Sequence, residues 1–260
     1  GVPNADGGGV RIQVLGPVRA WNGDTSIDLG PPAQRGLLGL LALAAGRPLS
    51  RDELVDALWK NRPPATATNV IQSYIRRLRR ALEPGRPRYR PSALLPTVGN
   101  GYALDVPCHV VDALRFRSLV ATAAVLQWEG RAERAAALLS EGLGMWQGPP
   151  LADVAFLADH PKAVAMTIER GAAQVRYGQA LVSAGAWPDA LPALQVAAAD
   201  RPMDEAVHAR LIRVYHVLGR RAEAFSTYHE IRRRLADELG VDPGAELSAA
   251  HAALLRGARR

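Results

Sequence analysis

The sequence predicts a mainly α-helical protein with a small β component, folded as two domains. At 260 residues the chain exceeds ordinary single-domain size, so two cores are the better expectation. Short β-prone runs are concentrated in roughly its first hundred residues, interleaved with helical segments. From about residue 109 the chain turns alanine- and leucine-rich, in helix-length segments separated by glycines and prolines. The expected division is a lead over 1–9, a first domain over 10–108 and a second over 109–260.

The chain starts Gly-Val rather than with Met, and residues 1–9 lack the basic and apolar regions of a secretion signal, so they read as a disordered arm or an expression remnant. With 48% hydrophobic and 22% charged residues, global disorder is excluded, and no apolar run approaches the roughly 18 residues that a bilayer span needs. Cys108 is the single cysteine, which rules out an internal disulfide and a multi-cysteine zinc site. A cytoplasmic, nucleoid-associated protein without membrane contact or cofactor is the expectation.

The net charge of +7 is unevenly placed. Residues 1–108 hold 14 Lys and Arg against 8 Asp and Glu, whereas the remainder holds 18 against 17. Within 60–90, nine basic side chains face one acid, Glu83. Clustered cations of this kind bind phosphates.

In chain order, β-prone runs at Arg11–Leu15, Val18–Trp21 and Ser26–Leu29 surround Asn22-Gly23, a pair suited to a tight hairpin, and predict a small antiparallel sheet. Pro31-Pro32 opens an apolar segment, Ala33 to Ala45, that Gly46 closes, predicting a buried helix. Ser50-Arg51-Asp52-Glu53 is a capping box, in which the serine hydroxyl and the glutamate each satisfy a free amide at a helix start, and the helix should run to about Trp59. Asn61–Pro64 breaks the chain, and Thr66 or Thr68 can cap a third helix reaching Leu82.

In that third helix Ile71, Ile75, Leu78 and Leu82 recur at steps of four, three and four, an apolar stripe that docks on the preceding helices. The other face carries Asn69, Gln72, Ser73, Arg76, Arg79 and Arg80. Arg pairs bidentately with guanine, Asn or Gln with adenine, and Ser and further Arg with backbone oxygens, so the composition fits a DNA major groove. After the basic loop Pro84–Pro91, β-prone residues resume in Leu94–Val98 and Tyr102–Val106 around Gly99-Asn100-Gly101, predicting a hairpin wing. Its own helices, sheet and apolar stripe lead to the expectation that 10–108 folds and binds DNA by itself.

The order of hairpin sheet, three helices and wing resembles the OmpR-type winged helix-turn-helix. The resemblance is carried by Pro48-Leu49-Ser50-Arg51-Asp52-Glu53-Leu54, by Ile75-Arg76-Arg77-Leu78-Arg79-Arg80 and by Thr97-Val98-Gly99-Asn100-Gly101-Tyr102. Arg77, Arg51, Thr97, Gly99 and Asn100 complete the expected DNA-binding set. Lys60, Asn61, Arg62 and Thr66 sit in the turn where, by the same resemblance, OmpR-like proteins touch RNA polymerase. The phospho-acceptor receiver domain that usually precedes this fold is missing from the sequence, so regulation is expected to enter another way.

Self-comparison of the second half finds a repeat. Gly185, Ala190 and Leu194, in a copy that continues through Ala197 and Pro202, align with Gly219, Ala224 and Tyr228 at an offset of 34 residues, the tetratricopeptide period. An earlier copy, Leu126, Gly130, Ala135 and Leu139, lies 55 residues before Gly185, one period plus an insertion of 21 covering Met145–Met166. An all-α tetratricopeptide-like domain follows, whose helix pairs bury their apolar faces by stacking on neighbours.

Two stretches go beyond generic repeats: Met145-Trp146-Gln147-Gly148-Pro149-Pro150-Leu151-Ala152-Asp153-Val154, and Leu235-Ala236-Asp237-Glu238-Leu239-Gly240-Val241-Asp242-Pro243-Gly244-Ala245-Glu246-Leu247. They resemble the bacterial transcriptional activation domain. Joined to an OmpR-like winged helix, that domain is similar to the Streptomyces antibiotic regulatory protein family over roughly residues 10–256. The resemblance implies an activator of secondary-metabolite (antibiotic) gene clusters. It implies binding to tandem direct repeats in double-stranded DNA beside a second protomer, and engagement of RNA polymerase holoenzyme with its σ factor.

No enzyme is indicated. Cys108-His109 are adjacent in sequence, which rarely gives catalytic geometry, and no third orienting group is identifiable. The histidines lack the spacing of a helical metal pair. Gly7-Gly8-Gly9 has neither the lysine nor the helix of a phosphate loop. The competing readings are a ligand- or partner-gated regulator or repressor, and a protein-interaction scaffold whose basic helix meets an acidic partner or RNA.

Overall fold

Residues 9–257 are described by a computed structural model; the lead read as a disordered arm lies, up to residue 8, outside the described residues. They divide into two compact units. One combines the chain up to Ser118 with Gly144–Ile168, and the other takes Leu119–Leu143 and everything from Glu169 onward.

In the first unit, β1 (Val10–Gln13), β2 (Arg19–Asn22) and β3 (Thr25–Ile27) form an antiparallel sheet in sequence order. Asn22 pairs with Thr25, so the two-residue turn is Gly23-Asp24, one position later than Asn22-Gly23. Gly23, at φ 59°, takes the first central place, where a type II′ turn needs a positive φ. The helices α1 (Pro32–Leu43), α2 (Arg51–Trp59) and α3 (Ala67–Leu82) follow. The capping box at α2 is present: Ser50 Oγ accepts the Glu53 amide at 3.1 Å, and the Glu53 carboxylate accepts the Ser50 amide at 2.8 Å. Thr66 is the N-cap of α3, without a side-chain cap bond.

A second sheet joins β4 (Leu49–Ser50) to the hairpin of β5 (Thr97–Val98) and β6 (Gly101–Tyr102), in the order β4-β6-β5. The hairpin strands are shorter than the β-prone runs because Pro96, with no N–H to donate, interrupts the ladder. Pairing resumes beyond it through Ala103 N to Pro96 O at 3.2 Å and Asp105 N to Leu94 O at 2.9 Å.

The core of this unit is completed by the segment 144–168. Gly36 and Gly39 cut a notch in α1, and Val154 and Leu157 face Gly36 while Leu151 faces Gly39. Each interior glycine costs a helix about 1 kcal/mol relative to alanine, and the close approach of these side chains is the compensating gain. The backbone amides of Gln147, Leu151 and Ala152 donate to the carbonyls of Leu15, Val14 and Gly16 at 2.7, 3.1 and 3.0 Å. Asp153 accepts the Val18 amide at 2.8 Å and Arg35 Nε at 2.9 Å. Asp112 accepts the amides of Val14 and Leu15 at 2.9 and 3.0 Å. Burial raises the Asp112 pKa, against the lowering effect of those amides. Trp146 is buried edge-on against Phe116 at 5.4 Å between ring centroids. Residues 10–108 by themselves therefore lack the side chains of Leu151, Val154 and Leu157 that pack on α1.

The second unit is helical: the rear of α4 (Asp112–Trp128), α5 (Ala132–Gly144), most of α6 (Pro161–Ser183), then α7 (Trp187–Asp200), α8 (Glu205–Val217), α9 (Arg221–Leu239) and α10 (Ala245–Arg256). The aligned glycines occupy equivalent turns. Gly130, Gly185 and Gly219 have φ of 76°, 71° and 73°, and the next residue in each case donates to the carbonyl five positions back at 2.8, 2.9 and 2.8 Å. This is the same left-handed helix end used three times. At the last helix, His251 of α10 stacks on Tyr228 of α9 at 3.8 Å and 4° between planes.

Candidate nucleic-acid interface

The stripe Ile71, Ile75, Leu78 and Leu82 is buried, together with Ala67, and turns the rest of α3 outward. Asn69, Ser73, Arg76 and Arg80 repeat the steps of four, three and four on the opposite side, flanked by Gln72 and Arg77. All but Ser73 are exposed, and Ser73 Oγ accepts Arg76 Nη2 at 3.1 Å. Two amides (Asn69 and Gln72) and three guanidinium groups (Arg76, Arg77 and Arg80) thus share one face without a carboxylate among them. The nearest acid in sequence, Glu83, lies beyond the helix end and accepts from the amides of Ala93 and Leu94 at 3.0 and 3.2 Å and from the Ser92 hydroxyl.

Arg79 has another position. Its Nε and Nη2 both donate to the Leu95 carbonyl, at 2.8 and 2.6 Å, and Nη2 also reaches Thr97 Oγ1 at 3.0 Å. Burial lowers its pKa from the usual arginine value. Arg79 and Arg51 stand 5.7 and 5.8 Å from the Tyr102 ring, within range of a cation–π attraction. Of the residues expected to touch DNA, Arg51, Arg79 and Thr97 are thus engaged at the wing root, joining α2 and α3 to the hairpin. The hairpin pairing with β4 was not visible in the sequence.

At the wing tip Gly99 and Asn100 are exposed, Gly99 having φ 58°. Asn100 gives its carbonyl to the Arg51 amide at 3.3 Å. Gly101 is obligatory, because a Cβ there would overlap the Leu49 carbonyl oxygen of β4. The α2–α3 turn exposes Lys60, Asn61, Arg62 and Thr66. Lys60 ends α2 with φ 52° and lies 3.4 Å from Asp159, both largely exposed, a pairing worth at most about 1 kcal/mol. Cys108 and His109 are exposed. Among the described residues no group of three His, Cys, Asp or Glu is placed to hold a metal, and no helix is long and apolar enough to cross a membrane.

Comparison with known proteins agrees with this architecture. Residues 24–104 match the family of transcriptional regulatory protein C-terminal domains, and residues 111–255 match the bacterial transcriptional activator domain. The chain is 31% identical to the transcriptional regulatory protein EmbR of Mycobacterium tuberculosis over 244 residues, covering 94% of this chain and 62% of EmbR. It is 34% identical to the transcriptional regulator RedD of Streptomyces coelicolor, covering 96% of this chain and 71% of RedD. With the regulatory protein AfsR of the same organism it shares 33% identity, over 92% of this chain and 23% of AfsR. The solved structure of M. tuberculosis EmbR in complex with a low affinity phosphopeptide superposes with a TM-score of 0.84 at 30% identity, over 95% of this chain and 65% of that one. An OmpR-type DNA-binding fold followed by a bacterial transcriptional activator domain, shared with these regulators, shows that the chain belongs to the Streptomyces antibiotic regulatory protein family of transcriptional regulators.

Proposed function

We propose that this protein activates transcription of secondary-metabolite (antibiotic) genes, acting in the cytoplasm on nucleoid DNA. Two protomers bind tandem direct repeats near promoters, and the bound pair engages RNA polymerase holoenzyme with its σ factor. The observation that supports this reading is the carboxylate-free outer face of α3, with Asn69, Gln72, Arg76 and Arg80 exposed opposite a fully buried stripe. That face matches the donor and acceptor edges of a major groove. The similarity of the chain to RedD and AfsR favours the metabolic role.

In this reading Asn69, Gln72 and Arg76 meet bases, Ser73, Arg77 and Arg80 meet phosphates, and the wing tip at Gly99 and Asn100 meets the neighbouring groove. Arg51, Arg79 and Thr97 hold the wing at its root. Lys60, Asn61, Arg62 and Thr66 are the surface offered to polymerase. The test is footprinting on upstream DNA from the source genome with transcription by purified holoenzyme read in the same reactions. Protection of two sites in the same orientation, about one helical turn apart, with a rise in transcript, supports the proposal. Protection without activation would leave a repressor.

A further inference from the structure

We propose that the loop Pro84–Pro91 is a second DNA-contacting element. Arg88 and Arg90 take backbone phosphates beside the major groove, and the Tyr89 ring packs on the adjoining sugars. The inference rests on the reading that α3 enters the major groove.

Length places the loop there. A helix of 16 residues is about 24 Å long at ~1.5 Å per residue, roughly twice the ~12 Å width of a major groove. The C-terminal end of α3 therefore overruns the groove toward the flanking backbone, and the loop starts at that end.

The loop is braced. Glu83 accepts from the Ser92 hydroxyl and from the amides of Ala93 and Leu94, tying the far side of the loop to the end of α3. Arg86 spans its inside, 3.6 Å from Glu83 and donating to the Arg90 carbonyl at 2.5 Å. The Arg90 amide closes a turn on Pro87 O at 3.0 Å, and prolines 84, 87 and 91 restrict the backbone further. Glu83 and Arg86 are thus spent on the loop itself.

What remains outside is Arg88, Tyr89 and Arg90. Tyr89 is 90% exposed, so its ring contributes almost no burial to the fold. Among the described residues the Arg88 guanidinium has only the Tyr89 ring for a partner, at 5.9 Å, and the Arg90 side chain has none. Two uncompensated cations around an exposed aromatic ring, held on a stiff loop, match a sugar-phosphate backbone: the cations displace counterions and the ring covers a sugar face.

The experiment compares the full chain with the double variant Arg88→Ala/Arg90→Ala and with Tyr89→Ala and Tyr89→Phe, on the duplex found by footprinting. Because these side chains are exposed, the denaturation midpoint should not move, and a midpoint shift shared by all variants would assign the loop to stability instead. The double variant should reduce the log-log salt slope by about 2, at roughly 0.9 per phosphate. Tyr89→Ala should weaken binding about ten-fold at constant salt slope, while Tyr89→Phe stays near the parent. Hydroxyl-radical protection should shrink at one edge of the site.

If the parent binds with strong salt dependence and the double variant keeps its slope and footprint, the loop is off the DNA while the groove reading stands. If the parent shows no salt-dependent duplex binding, the groove reading itself has failed. Variants that bind like the parent but lose transcription would place the loop on a protein instead and overturn the proposal. A slope loss with Tyr89→Ala unchanged would overturn the role of the ring.

Discussion

Arg79 grips the carbonyl of Leu95 through two of its nitrogens, at 2.8 and 2.6 Å, and so fastens α3 to the strand entering the wing. A neighbouring arginine on the same helix, Arg80, is exposed. Replacing Arg79 with Ala should cost roughly 1–3 kcal/mol of stability, since hydrogen bonds to a charged group are lost and the carbonyl of the buried Leu95 is left open. Arg80→Ala should leave stability within about 0.5 kcal/mol while weakening DNA binding. Urea denaturation of both variants beside filter binding separates the two, and equal midpoints would show that the clasp does not hold the wing.

On the outer face of α3 the expectation differs by residue. Gln72→Ala and Arg76→Ala should each cost roughly 1–3 kcal/mol on the cognate site and relax preference at particular bases. Arg80→Ala should weaken all duplexes alike and lower the salt slope by about 1. Affinities on a set of single-base operator variants provide the check; uniform losses for all three substitutions would remove the division between reading and gripping.

The notch in α1 makes an unusual prediction for a helix glycine. Alanine at Gly39 would ordinarily gain about 1 kcal/mol of helix propensity, but its methyl would meet Leu151 Cδ2 at 2.5 Å. Gly39→Ala should therefore lower the melting temperature. Gly85→Ala, with no heavy atom within 4 Å, should not. A chain cut after residue 108 should expose the same notch and bind an apolar dye, and a cooperative melt with no dye binding would show that the segment 144–168 is dispensable for the core.

The last helix should loosen in acid. Burial, helped by the charges of His229 and Arg232, lowers the pKa of His251 below its ordinary 6.5. The unfolded chain then binds more protons than the folded one between the two values. Stability from this group is thus complete above pH 6.5 and is lost as pH falls through the folded pKa. Melting temperatures between pH 5 and 8 should show this slope, and His251→Phe, which keeps a ring on Tyr228, should flatten it. An unchanged slope would remove His251 as its source.

Much of this was legible in the chain because the signals are local. The 4-3-4 stripe of α3, the Ser50/Glu53 box and the 34-residue offset of Gly185 and Gly219 each repeat within a turn or a helix pair, where periodicity survives in sequence. Asp112 and Asp153 left no such trace: their partners lie 98 and 135 positions away, at Val14 and Val18, and any carboxylate would have looked the same. Arg79 and Arg80 were indistinguishable by type, and only the position of the wing separates them. Gly36 and Gly39 were the overlooked clue, since two glycines three apart in a buried helix call for a neighbour at close range.

The first unit is built from two stretches of chain separated by residues 119–143, and this sets an order of events during synthesis. The ribosome delivers α3 and the wing well before Leu151, Val154 and Leu157 exist to fill the α1 notch. A nascent chain thus carries its basic helix on an unfinished scaffold, and contacts of such long sequence separation form late. If the segment 144–168 is needed to hold α3 in place, competence for DNA should arrive only once residue 168 has been made. A prematurely terminated product ending in the repeats would carry the charge of a regulator without the rigid frame needed to place it in register, a form that proteolysis rather than DNA should claim.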